Sequence, residues 1–163
     1  MSFEDLLDQG QRALEEDDSQ KALDLLSKAI KLEQTADAWQ LLAEAQLDEN
    51  QLSQAKKSVT SGLKMAPDNI DLLYLSADIS LDEDREKSAL EIYRKIIDID
   101  PQQIDARVNK ALMELDADQL DVAERTCREA LQTDPESVLA LNALGDVCEA
   151  AGKAQESLES YLK

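Results

Sequence analysis

Three prolines, Pro67, Pro101 and Pro135, stand 34 residues apart. Ala55, Ala89 and Ala123 keep the same interval, and so do Asp84, Asp118 and Gly152. A fixed period of this size constrains a chain more than any composition does. Each unit carries an apolar face that it cannot cover alone, so successive units must stack into a solenoid. The 163 residues hold about four and a half units: 3–35, 36–69, 70–103, 104–137 and an incomplete 138–163. No low-complexity tract or long linker interrupts them, which predicts a single array over residues 1–163.

Each unit reads as two helices, ten in all. In the second, Leu41, Leu42, Ala45 and Leu47 form an apolar face at helical spacing, joined by Trp39 as a packing residue. Asp48-Glu49-Asn50 breaks the pattern, Ser53 is the expected N-cap, and Ala55, Val59 and Leu63 carry the next buried stripe up to Pro67. The third and fourth units repeat this, with Leu72, Leu73, Ala77 and Tyr93, then Val108, Ala111, Cys127 and Ala130. The first unit lacks the proline but keeps the frame through Leu6, Gly10, Ala13, Ala22, Leu26 and Ala29; Ser2 with Asp5 signals its start. Between paired helices stand Asp17, Asn50, Asp84, Asp118 and Gly152, the residue types that tolerate a left-handed helix end. In the incomplete fifth unit Leu158, Tyr161 and Leu162 have nothing after them to cover them. This predicts a longer natural chain, or self-association through the C-terminal repeat.

Hydrophobic residues make up 43% but aromatics only 3%, so the core must be Leu, Ala and Ile, a helix-forming set. Asp and Glu number 36 against 17 Lys and Arg, for a net charge of −19. Nucleic acids and anionic membranes are poor partners for such a surface, and a basic partner is steered toward it. The same charge also serves solubility. Met1-Ser2-Phe3-Glu4-Asp5 lacks a signal-peptide pattern and no run suits a membrane span, which predicts a cytoplasmic protein. There is no histidine, the four glycines form no phosphate loop, and Asp82-Glu83-Asp84 lacks the spaced ligands of a calcium loop. No catalytic residue, cofactor or metal site is expected. Cys127 and Cys148 fall at packing places of adjacent units, where buried thiols are the default and a redox pair the alternative.

These residues resemble the tetratricopeptide repeat. The second unit matches its pattern with Trp39, Leu42, Ala43, Ala55 and Pro67, and departs at Gln46, Val59 and Gly62, where Gly62 marks a weaker second helix. The third offers Leu73, Ala77, Ala89, Tyr93 and Pro101, and the fourth Ala111, Ala123, Ala130 and Pro135, with Arg107 in the large-residue place. The fifth offers Leu141, Leu144, Gly145 and Tyr161, and the first Leu6, Gly10, Ala22 and Ala29. The resemblance implies an all-α, right-handed superhelix whose first helices line a concave groove for a peptide, helix or protein. In the best-known version basic residues of those helices clamp a C-terminal carboxylate. Here the matching places carry Leu7, Gln11, Leu41, Asp71 and Leu75, so no such clamp is expected.

The groove-facing places instead read Asp37, Gln40 and Glu44; Asp71, Tyr74 and Asp78; Asp105 and Asn109; Asn142 and Asp146. Asp48, Asp82 and Asp116 follow at the rim, again 34 apart. The expectation is a non-enzymatic scaffold that holds a basic or neutral protein segment in an acidic groove. Asn109 and Asn142 would bond an extended backbone and Tyr74 would give an amphipathic contact. Two alternatives stay open: a dedicated chaperone for a strongly basic client, and the N-terminal regulatory region of a larger enzyme.

Overall fold

Five of the described helices start at a short polar capping side chain, and the first helix of each repeat is followed by a residue that takes a positive φ. A computed structural model describes residues 1–152, and these are helix and turn, with no strand among them. Nine helices run α1 Phe3–Glu15, α2 Ser19–Leu32, α3 Ala36–Asp48, α4 Leu52–Met65, α5 Ile70–Asp82, α6 Glu86–Ile99, α7 Ile104–Asp116, α8 Leu120–Thr133 and α9 Val138–Ala150. The tenth expected helix, with Leu158, Tyr161 and Leu162, lies outside the described residues.

Ser2 and Asp5 form the expected capping box: the Ser2 amide donates to the Asp5 carboxylate at 2.9 Å and the Asp5 amide to the Ser2 hydroxyl at 3.2 Å. Hydrogen bonding to the carboxylate from the Ser2 amide, first, and then from the Ser2 side chain holds the Asp5 carboxyl below its ordinary value. Asp18, Thr35, Asn69 and Ser137 cap α2, α3, α5 and α9 in the same way. Ser53 does not cap α4. The helix begins two residues earlier than such a cap would set it, at Leu52, with Gln51 in the cap position and no side-chain bond. The turn itself explains the shift. Asn50 takes φ 56°, its amide bonds Leu47 O at 2.9 Å, and the Gln51 amide reaches Gln46 O at 2.7 Å. This double closure leaves Gln51 as the last non-helical residue. Asp17 and Asp118 close α1 and α7 with the same pair of bonds, and Asp84 and Gly152 share the positive φ. The first repeat lacks a proline because only residues 33–35 join α2 to α3, one fewer than join α4 to α5.

Two compact units divide the chain, Met1–Asp84 and Arg85 onward. In the first, α1 pairs with α2 and α3 with α4, α2 packs on α3 and α4 on α5, and the first helices α1, α3 and α5 are successive neighbours. Ala13, Ala22, Leu23, Leu26, Leu42 and Ala45 form one core, with Trp39 packed against it. Ala43, Ala55, Val59, Leu72 and Ile79 form a second. In the other unit α7 pairs with α8, α6 packs on α7 and α8 on α9, and α7 neighbours α9. Its core holds Val108, Ala111, Ala123, Cys127, Ala130, Leu144, Val147 and Cys148.

The small residues sit where helices press together. A Cβ on Gly62 would lie 2.7 Å from Leu72 Cδ1 and 3.3 Å from Trp39 Cβ. Gly62 therefore weakens α4 as a helix former but permits the approach of α5, a reason that helix propensity alone does not supply. Among the described residues no helix is long and apolar enough to cross a membrane.

Candidate partner-binding face

One side of α3 carries Asp37, Gln40 and Glu44, and one side of its neighbour α5 carries Asp71, Tyr74 and Asp78. Residues three and four apart share a helix face, so each set is contiguous. Asp37, Asp71 and Asp78 are exposed, while Gln40, Glu44 and Tyr74 are half-buried. Gln40 Nε2 donates to Glu44 Oε1 at 3.1 Å. Burial pushes the Glu44 carboxyl above its ordinary value, the Gln40 bond partly opposes this, and the charges of Asp71 and Asp48 add to it. Asp71 thus faces Glu44 from the next first helix. Crowding around the Asp78 carboxyl likewise pushes it up, with Asp82 adding. Among the described residues no ion pair reaches Asp37, Glu44, Asp71 or Asp78. Two cations of this unit pair elsewhere: Lys21 with Glu16 at 3.7 Å, and Lys56 of α4 with Glu83 at 2.7 Å. Of the rim acids, Asp48 turns toward α2, where the Ser19 hydroxyl donates to it at 3.2 Å.

In the second unit Asp105 and Asn109 stand on α7, and Asn142 and Asp146 on its neighbour α9. Asp105, Asn142 and Asp146 are exposed and Asn109 is half-buried. The ten expected residues therefore all lie on first helices, six in one unit and four in the other.

Comparison with known proteins agrees with this architecture. Family models described as tetratricopeptide repeat match residues 13–79, 70–103 and 108–163. The chain belongs to the tetratricopeptide-repeat family. Its fold is similar to that of MamA 41-end from Desulfovibrio magneticus RS-1, with a TM-score of 0.84 at 18% identity over 98% of this chain and 91% of that one. A tetratricopeptide repeat protein from Parabacteroides merdae gives 0.86 at 21% identity over 97% and 63% of the two chains. YrrB, described as a TPR protein with an unusual peptide-binding site, gives 0.74 at 18% identity over 95% and 80%. Among curated proteins, no match is found.

Against the tetratricopeptide pattern, a second polar feature stands out that the sequence had shown only as a departure. Gln46, in the family's aromatic place, is buried and accepts from the buried Ser58 hydroxyl at 2.7 Å. Two periods on, the same places hold Glu114 and Thr126. The Thr126 hydroxyl donates to Glu114 Oε2 at 2.7 Å, and Lys110 Nζ bonds both Glu114 Oε1 at 2.7 Å and Thr126 Oγ1 at 2.9 Å. Glu114 is 4% exposed, so this is a carboxylate satisfied inside the fold. The signal was available: polar residues 12 apart at core places in two repeats of the same register. Cys127 and Cys148 are free and buried, as expected of packing thiols. Burial, then Cys148 and nearby carboxylates, pushes the Cys127 thiol up to about 12, which removes it as a nucleophile near neutral pH.

The raised acids make a pH prediction. A carboxyl whose folded value exceeds its unfolded value is penalised when ionised, so the penalty is full above the folded value and vanishes below the unfolded one. For Glu44 that lower bound is the ordinary 4.5. Glu44→Gln is therefore expected to raise the thermal midpoint at neutral pH. The gain should shrink as pH falls from the raised folded value toward 4.5 and be gone below it. Thermal melts of both proteins across this range check it, and an equal gain at every pH would mean that the amide acts through packing.

Proposed function

We propose that the chain is a non-enzymatic protein-interaction scaffold of the cytoplasm. Its first helices, α1 to α9 in alternation, form a single array that holds a basic or neutral segment of a protein partner. Asp37, Glu44, Asp71, Asp78 and Asp105 meet its charges, Gln40, Asn109 and Asn142 its backbone, and Tyr74 and Asp146 complete the contact. The observation that carries this reading is the state of Glu44 and Asp78. Both are ionisable groups raised by burial and faced by further acids, and no ion pair among the described residues reaches either. Such an arrangement lowers stability, and a bound cationic side chain relieves it. The peptide-binding site ascribed to YrrB, on a similar fold, supports a peptide or protein as the ligand class.

The test starts with recovery of partners on the immobilised chain at low salt, followed by titration with an oligolysine peptide. Exposed charges are screened beyond roughly 8–10 Å at physiological salt, so affinity is expected to fall steeply as salt rises. Changing Asp71 and Asp78 together to Asn is expected to weaken binding more than changing Glu86 and Glu91 of α6 to Gln. Equal loss from both pairs would reduce the acidity to a solubilising coat and end the groove reading.

A further inference from the structure

Lys and Arg are scarce in this chain, yet three of the 17 line one cavity. Arg94 of α6 and Arg107 and Lys110 of α7 surround a space of about 180 Å³ that Thr126 of α8 also lines. With 3.6 residues per turn, Arg107 and Lys110 lie on the side of α7 away from Asp105 and Asn109. The cavity is therefore separate from the proposed groove face of that helix.

We propose that this niche binds an oxyanion, the phosphate or carboxylate group of a ligand. Its donors are fixed and partly unspent. Lys110, with a side chain 18% exposed, is held by Glu114 and Thr126, which occupy two of its three N–H groups. Arg107 uses one N–H on the Pro101 carbonyl, and Arg94 is anchored by Glu91 at 2.6 Å. Each guanidinium keeps further donors in a rigid fork suited to planar or tetrahedral oxygens. The acids on the wall, Asp98 and Glu129, form no ion pair with these three cations, so the donors facing the space are not consumed by it. Holding Lys110 in place beforehand also removes the side-chain entropy that a free surface lysine would lose on binding.

The experiment follows amide chemical shifts of the full chain during titration with sodium phosphate and, separately, sodium acetate, against sodium chloride at matched ionic strength. Saturable shifts centred on Arg107, Lys110 and Thr126 are expected with an oxyanion and not with chloride. Tighter phosphate binding assigns the niche to a phosphate group, and tighter acetate binding to a carboxylate. Arg107→Ala and Arg94→Ala change half-buried and exposed side chains, leave the Lys110–Glu114 pair intact, and are each expected to weaken binding by about tenfold. Shifts that do not saturate, an equal response to chloride, or unchanged binding in both variants overturns the proposal.

Discussion

Lys110→Met is expected to lower the stability of the chain more than any other single change to a charged residue described above. Among the described residues the lysine is the only cation paired with Glu114, and Glu114 is 4% exposed. Removing it leaves a carboxylate inside the fold with one hydroxyl for a partner. Breaking a buried pair from one side costs about 3–5 kcal/mol, and the 18% exposure of Lys110 places the expected loss at the lower end of that range. The rescue is specific. Adding Glu114→Gln is expected to restore most of the stability, because a neutral amide already accepts from a hydroxyl at the matching place, Gln46 from Ser58 at 2.7 Å. Denaturant midpoints by circular dichroism read both steps. If Lys110→Met alone is neutral, or the double variant is no better than the single, Glu114 is not held as an ion by Lys110.

The helical frame was legible in the sequence because its determinants are local. Asp17, Asn50, Asp84 and Asp118 announce their turns by a backbone conformation that few residue types accept, and each is found at φ 55–57°. Ser53 misled because N-cap preference is also local but weaker than the turn before it, whose two backbone bonds decide where α4 begins. Side-chain partnerships across helices were not legible. Gln46 looked like a mere departure from the repeat pattern, since its meaning depends on Ser58 of the following helix. The acidic face was legible as a list of residues spaced along first helices. The crowding of Glu44 by Asp71 was not, because it arises from how closely α3 and α5 approach. Ala43 of α3 and Leu72 of α5 share one core there, and the sequence showed them only as small and apolar.

Gly10→Ala tests how much of the stability depends on such close approach. Helix propensity alone favours alanine by about 0.5–1 kcal/mol. The packing says the opposite. A Cβ at this position would lie 2.6 Å from both Cγ and Cδ2 of Leu26, and Leu26 is fully buried. Cγ is the branch point of that side chain, so rotating its methyl groups does not clear the clash. Either α1 and α2 move apart or Leu26 leaves its rotamer. Overpacking of this kind costs about 1–3 kcal/mol, which outweighs the propensity gain. The expected result is a net loss of about 1–2 kcal/mol. Trp39 packs against the same core as Leu26 and is the chain's single tryptophan, so its fluorescence reports the unfolding of this region directly. A double-mutant cycle with Leu26→Ala then separates the two terms. Shortening Leu26 removes the obstacle while opening a cavity, so Gly10→Ala is expected to become neutral or stabilising in that background. A stabilising Gly10→Ala in the parent chain would mean that the helices of the first repeat tolerate a wider spacing. The small residue would then reflect no steric demand at that contact.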